Sequence, residues 1–156
     1  MRSLIVYYSR SGHTKDVAKA IAERVSGDIE EIIDKDKRSG PLGFVRSGRE
    51  SIKDMEADIM EPRANLLEYD LVIVGTPVWA SKMSTPVRAY LSKTKENMNN
   101  IAFFCTMNTQ GDVSTLDGME KFVDKKAVAK MSFKSKNIKN GKYLDDVGKF
   151  IDMIVI

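Results

Sequence analysis

Short apolar runs and helix-period segments alternate along the whole chain, and few architectures accept that alternation. Residues 4–8 read as a strand. Residues 14–25 read as a helix, with Val17, Ile21 and Val25 on one stripe at a spacing of four. Residues 28–33 read as a short strand. A long connection follows, in which Ser47 and Glu50 have capping-box spacing and Ile52, Met55 and Ile59 mark a helical face that Pro62 stops. Residues 71–75 and 101–106 read as strands. Thr85 as cap and Pro86 in the first turn predict a helix start, with Val87, Tyr90 and Leu91 facing inward. Leu116, Met119, Phe122 and Val123 mark another helix, 128–134 a fifth strand, and Leu144, Val147, Ile151 and Ile154 the last helix. Strand and helix alternating five times predict an α/β fold: a doubly wound three-layer sandwich, with a five-stranded parallel sheet between helices.

The strand sequences predict their order. Leu4-Ile5-Val6, Leu71-Val72-Ile73-Val74 and Ile101-Ala102-Phe103-Phe104 are unbroken apolar runs, as expected of strands covered on both faces. The second strand carries Glu30 and Glu31. The fifth alternates Ala129, Met131 and Phe133 with Lys130, Ser132 and Lys134. Polar residues, lysine above all, keep sheet edges from pairing with other chains. The order 2-1-3-4-5 places both polar strands at the edges.

A chain of 156 residues predicts one domain, spanning 1–156. Apolar residues make up 42% and charged residues 30%, which is ordinary globular composition. No apolar run approaches the roughly 18 residues of a membrane span, and the N-terminal run is too short for a signal peptide. Cys105 is the one cysteine, so no disulfide within the chain and no multi-cysteine metal cluster can form, and a reducing cytoplasm is the expected location. Residues 125–142 hold seven lysines and no acid, and the remaining residues balance 18 basic against 22 acidic side chains. That segment is either a solvated face or a docking site for an acidic partner. Aromatic residues do not interleave with its lysines, which argues against nucleic acid.

In open parallel sheets, ligands bind beyond the carboxyl ends of the strands where the winding direction switches, here between strands one and three. Three loops meet there. Ser9, Arg10, Ser11, Gly12, His13 and Thr14 form the first. It offers hydroxyls, a glycine able to turn amides inward, a cation and the start of a helix, with no carboxylate before Asp16. That suits a phosphate, although a Ser/Thr-rich helix cap reads the same way. Thr76, Pro77, Val78, Trp79 and Ala80 lead the second, whose lone tryptophan is either an aromatic platform at a site mouth or packing against a neighbouring loop. Thr106, Met107, Asn108, Thr109, Gly111 and Asp112 belong to the third, rich in small polar groups and without an aromatic residue.

Other chemistries are excluded by pattern. The chain has no G-x-x-x-x-G-K and no G-x-G. Gly111 stands six residues after Cys105, where a cysteine phosphatase loop needs arginine, and the apolar run before Cys105 marks a core thiol. His13 is the sole histidine and has no G-x-S-x-G near it. No carboxylates have metal-ligand spacing.

These three loops resemble those of the flavodoxin family, and the likeness runs nearly the whole length of the chain. Ser9-Arg10-Ser11-Gly12-His13-Thr14 is similar to the family's phosphate loop, S/T-x-S/T-G-x-T; Gly75-Thr76-Pro77-Val78-Trp79 to its second loop; Phe104 to Gly111 takes the place of the third. The resemblance implies bound FMN, with its phosphate held by residues 9–14. Thr76 to Ala80 would line the ribityl chain and ring, with Trp79 beside the ring, and Thr106 to Asp112 would meet the pyrimidine end. The third loop lacks the tyrosine that many electron-carrying members lay on the ring. The chain is also weakly basic, at +3, where such carriers are commonly acidic. Lys82, Lys136, Lys139 and Lys142 are expected at the flavin end, where they favour the anionic reduced flavin and a less negative potential. The segment Gly43-Phe44-Val45-Arg46-Ser47-Gly48 is expected to cover the open flavin face, to supply a dimer contact or simply to lead into a helix.

The function implied is electron transfer between redox partner proteins, some of them acidic, with the flavin carrying the chemistry and no catalytic side chain required. The alternative is an FMN-dependent NAD(P)H reductase acting on quinones or similar small acceptors. A flavin-free binding module of the same fold is the third reading.

Overall fold

The computed structural model describes residues 1–154 and contains one main sheet wrapped by helices. Its elements run β1 (Ser3–Tyr7), α1 (His13–Val25), β2 (Asp28–Glu31), α2 (Gly40–Ile52), β3 (Leu71–Trp79), β4 (Lys82–Met83), α3 (Thr85–Thr94), β5 (Asn100–Met107), α4 (Asp112–Val123), β6 (Lys130–Lys134), α5 (Ser135–Lys139) and α6 (Tyr143–Ile154). The parallel strands lie in the order β2-β1-β3-β5-β6, and β4 folds back antiparallel on the end of β3. Without that two-residue hairpin strand, the order is the doubly wound one expected from the polar edges.

The three central strands are apolar throughout because each face meets a different set of helices. Leu4, Val6, Val72, Val74, Ile101 and Phe103 point to the side of α3 and α4, with Val87, Leu91, Leu116 and Met119. Ile5, Tyr7, Leu71, Ile73, Ala102 and Phe104 point to the side of α1 and α6, with Val17, Ile21, Val147 and Phe150. Phe104, Phe133 and Phe150 meet edge to face there, at centroid distances of 5.9–6.3 Å.

Three local expectations change. The helix in the long connection is α2, which ends before Met55 and Ile59. Asp54, at φ 54°, ends it: the Asp54 amide donates to the Ser51 carbonyl and the Met55 amide to that of Glu50, the paired bonds of a Schellman turn. Met55 is exposed, whereas buried Ile59 bridges to Asp34. Ser47 and Glu50 do not cap this helix; both bind Arg38. Ser84, not Thr85, is the cap residue of α3. Finally, β3 runs on to Trp79 instead of ending at residue 75, because Thr76 and Pro77 continue the pairing with β5 and Val78 and Trp79 pair with β4.

The hairpin turn is strained. Trp79 pairs with Lys82, so Ala80 and Ser81 form a two-residue turn, and both have positive φ, 51° and 62°. Asn-Gly is the usual occupant of such a turn. The double variant Ala80→Asn, Ser81→Gly is expected to stabilise the protein by about 1 kcal/mol, from relief of left-handed strain partly offset by glycine entropy. Urea denaturation checks this; an unchanged or lower midpoint would show the turn to be unstrained.

Candidate functional site

The carboxyl ends of β1, β3 and β5 open into a cleft of about 370 Å3, within the range of small-ligand and cofactor sites. One wall comes from the loop between β1 and α1. Arg10, Ser11 and His13 line the cleft there. Gly12 caps α1 at φ 103°, a backbone conformation that side chains with a Cβ rarely adopt, and its amide donates to Ser9 Oγ at 3.0 Å. Ser9 therefore shapes the loop from behind. Thr14 is buried, its hydroxyl 2.8 Å from that of Thr106, and this bond ties the first loop to the third. The first-turn amides of α1 lie beyond the reach of helical carbonyls and form an anion-attracting end.

Arg10 does more than bring charge. Its Nε donates to the Arg38 carbonyl at 2.8 Å and its Nη2 to that of Gly40 at 3.0 Å, so it fastens the phosphate-type loop to the start of α2. Its guanidinium also lies 5.7 Å from the centre of the Phe44 ring.

The second wall is the end of β3. Pro77, Val78, Trp79 and Ala80 all line the cleft, while Thr76 is buried, its hydroxyl accepting from the Ser84 amide at 2.9 Å. Trp79 unites the two alternatives open to it in the sequence: it is 8% exposed, packed in the core, and still forms part of the cleft wall. Tyr8 meets it edge to face at 5.6 Å, and the Arg38 guanidinium lies 5.3 Å from its ring centre.

Arg38 is the residue that sequence patterning missed most completely. Only 5% of it is exposed. Its Nε donates to Asp34, its Nη1 to Glu50 at 2.8 Å and to Ser47 Oγ at 3.3 Å. Burial alone would lower its pKa; its hydrogen bonds to Glu50 and Asp34 outweigh that and raise it, so the guanidinium stays charged. The backbone of α2 passes so close to Arg38 that a Cβ on Gly43 would lie 2.4 Å from the Arg38 carbonyl. Tyr8, beside this group, has its phenol pushed up to about 12, chiefly by burial and next by Asp34.

Thr106, Met107 and Asn108 line the cleft from the third loop, and Thr109, Gly111 and Asp112 do not. Gly111 is the cap residue of α4, and the Asp112 carboxylate accepts from Ser132 Oγ at 2.9 Å. Cys105 is buried; burial, then the nearby Asp112 charge, pushes its thiol up to about 12, so it is no nucleophile.

Phe44, Ser47 and Gly48 complete the cleft from α2, and Ser135 from the start of α5. The segment 43–48 is thus helical and part of the cleft wall. Its phenylalanine among glycines was the available signal. Nothing in the sequence around Ser135 singled it out. Lys82 is not free at the site: its Nζ pairs with Asp54 at 2.6 Å. Lys136, Lys139 and Lys142 make no ion pair among the described residues and sit on or just after α5, which starts at the cleft.

A doubly wound sheet whose winding switch carries a hydroxyl- and amide-rich loop beside an indole wall defines a protein of the flavodoxin-like class. The flavodoxin family model matches residues 2–154, and the chain belongs to the flavodoxin family. A flavoprotein from Lactobacillus acidophilus NCFM, solved in complex with FMN, is similar in fold, with a TM-score of 0.76 at 20% identity over 89% of this chain and 97% of that one. Flavodoxin 1 from Bacillus cereus gives a TM-score of 0.54 at 16% identity over 97% and 98% of the two chains. In sequence, the NAD(P)H dehydrogenase (quinone) of Chromohalobacter salexigens is 30% identical over 92 residues, 58% of this chain and 46% of that protein. The match spans about half the length of that relative. No helix among the described residues is long and apolar enough to cross a membrane.

Proposed function

We propose that residues 1–156 act as a single FMN-binding domain that passes electrons between protein partners in a reducing cytoplasm. The observation that carries this reading is the composition of the cleft. A polar anion-binding loop at one end adjoins a wall of Pro77, Val78, Trp79 and Met107, a layout suited to a phosphate joined to a flat apolar ring. The FMN complex of the Lactobacillus flavoprotein supports the choice of ligand. When bound, the flavin supplies the electron-accepting and electron-donating chemistry. Ser11, His13 and the first-turn amides of α1 would hold the phosphate. Trp79, braced by Tyr8 and Arg38, would form a rigid wall beside the ring. Met107 and Asn108 would meet its polar edge.

Phe44 supplies from α2 the second aromatic surface that the third loop lacks, and it is 68% exposed. Leu42 and Val45 on the same helix are also exposed, which suits contact with a protein partner at the rim. With Lys82 paired, Arg10 in the cleft wall and the turn bearing Lys136, Lys139 and Lys142 remain as the local positive field. It supports a less negative flavin potential than in acidic relatives.

A second reading is supported by the Chromohalobacter relative: FMN-dependent reduction of quinones or similar small acceptors by NAD(P)H. The absorption spectrum of the protein as purified tests the cofactor. Bands in the near-UV and blue, released by heat as FMN, are expected, and a colourless protein that takes up no added FMN would refute the assignment. Steady consumption of NADPH with a quinone would favour the reductase; cycling only with protein partners would favour the carrier.

A further inference from the structure

A second groove, of about 440 Å3, opens across the β3–β4 hairpin, between α3 and α4. Ala80 lines the first cleft and Ser81 the second, so one peptide unit separates the two. Lys82, Arg88 and Lys121 all line this groove. Arg88 is held firmly: its guanidinium lies 4.8 Å from the centre of the Phe122 ring, and its side chain is 16% exposed. Lys121 makes no ion pair among the described residues. The two acids nearest it on α4, Asp117 and Glu120, are bound instead to Lys130, at 2.9 and 2.5 Å.

One carboxylate shares the groove with these three cations and pairs with two of them. Asp54, carried there by the left-handed turn that ends α2, lies 2.6 Å from Lys82 Nζ and 3.2 Å from Arg88 Nη2. The hydrogen bond from Lys82 is the largest cause and, with the Arg88 and Lys82 charges, holds its carboxyl below the usual range against the opposing effect of burial. The groove therefore already binds an anion, and that anion belongs to the chain. A partner's carboxylate would bring only the single charge that Asp54 supplies. A phosphate brings two or more charges and several acceptor oxygens to an arginine fork and two ammonium groups, so it gains by displacing Asp54. We propose that the α3–α4 groove is a phosphate-binding site, filled by Asp54 until a phosphate ester or pyrophosphate replaces it. Two sources share this chemistry: a nicotinamide dinucleotide, whose use here rests on the reductase reading, and a free phosphoanion.

Calorimetric titration of the purified protein with sodium pyrophosphate, and separately with NADPH, at low ionic strength tests the site. Pyrophosphate is expected to bind one to one. Asp54→Asn should tighten binding several-fold, and Lys121→Gln and Arg88→Gln should each weaken it about tenfold, as loss of one charge-assisted hydrogen bond implies. Because Arg88→Gln also disturbs Phe122, Lys121→Gln is the deciding variant. Equal pyrophosphate affinity in wild type, Asp54→Asn and Lys121→Gln would overturn the proposal. NADPH following the same order across the variants would assign the dinucleotide; pyrophosphate alone following it would assign a free phosphoanion. Flavin absorbance read in the same samples separates this result from the cofactor reading, since a protein without FMN could still show the pyrophosphate response.

Discussion

Replacing Ser11 by aspartate is expected to abolish FMN retention and leave the fold intact. Ser11 is exposed, lines the cleft and makes no side-chain hydrogen bond to the rest of the protein among the described residues, so the substitution removes no packing and breaks no network. It does place a negative charge where the phosphate is proposed to sit. Two like charges about 4 Å apart in a medium of effective dielectric 20 repel by about 4 kcal/mol, close to a thousandfold in affinity. The measurement is flavin content after gel filtration, with far-UV circular dichroism to verify the fold. Unchanged retention of FMN would show that the phosphate lies elsewhere. Ser11→Ala serves as the control, since it removes a hydroxyl without adding charge and should weaken binding by about tenfold at most.

Removal of Arg38 is expected to destabilise the protein strongly. Arg38→Ala leaves the Asp34 carboxylate, whose side chain is 4% exposed, without a cation, and leaves Glu50, 13% exposed, with only the half-exposed Arg46 at 3.4 Å. Breaking one partner of a buried ionic group costs about 3–5 kcal/mol, mostly because the remaining charges stay desolvated. Guanidinium denaturation measures the loss. Arg38→Lys should recover only part of it, because an ammonium cannot bond both carboxylates and Ser47 from one planar fork. A second readout is built in. Trp79 is the sole tryptophan and lies beside Arg38, so its fluorescence should shift in Arg38→Ala below the unfolding transition. An Arg38→Ala protein as stable as wild type, with unchanged emission, would show that the ionic cluster braces nothing.

Arg38 also explains the limits of reading this chain from its sequence. Its partners stand four, nine and twelve residues away, in a stretch rich in charge and glycine that has no clear period. Ser47 and Glu50 have capping-box spacing, and that spacing suggested a helix start. The same spacing, one helical turn, instead puts a hydroxyl and a carboxylate on one face of a helix already under way, where they reach a common guanidinium. Local pattern cannot separate the two cases. The deciding facts are the left-handed turn at Asp54 and the close approach allowed by Gly43, both of which depend on where the chain goes next. Trp79 poses a similar problem. Periodicity after residue 75 is too short to reveal a strand, and β3 extends to Trp79 only because β4 returns to pair with it.

The site shows the same division. Loop chemistry identified ten of its lining residues on the three strand-end loops, because hydroxyls, glycine and an isolated tryptophan are recognisable without a structure. It also included Ser9, Thr76, Gly111 and Asp112, whose polar groups or backbone turn out to shape the loops from behind. Phe44, Ser47 and Gly48 fall in the 43–48 segment, for which the sequence left a cover over the flavin face, a dimer contact and a helix lead-in all open, and Ser135 it did not supply at all. These residues arrive from elements not adjacent to those loops in the chain.

The alternation of apolar runs with amphipathic helices, and lysines and glutamates on two of the strands, were enough by themselves to determine the layer architecture, the strand order and the end of the sheet where the cleft opens. Burial on two faces or one leaves a mark in every strand, so that information is local. The position of α2, the buried ionic cluster behind Trp79 and the cationic groove around Asp54 were decided only by tertiary structure. Each depends on charges distant in sequence meeting in space, and pairing of that kind leaves no period along the chain.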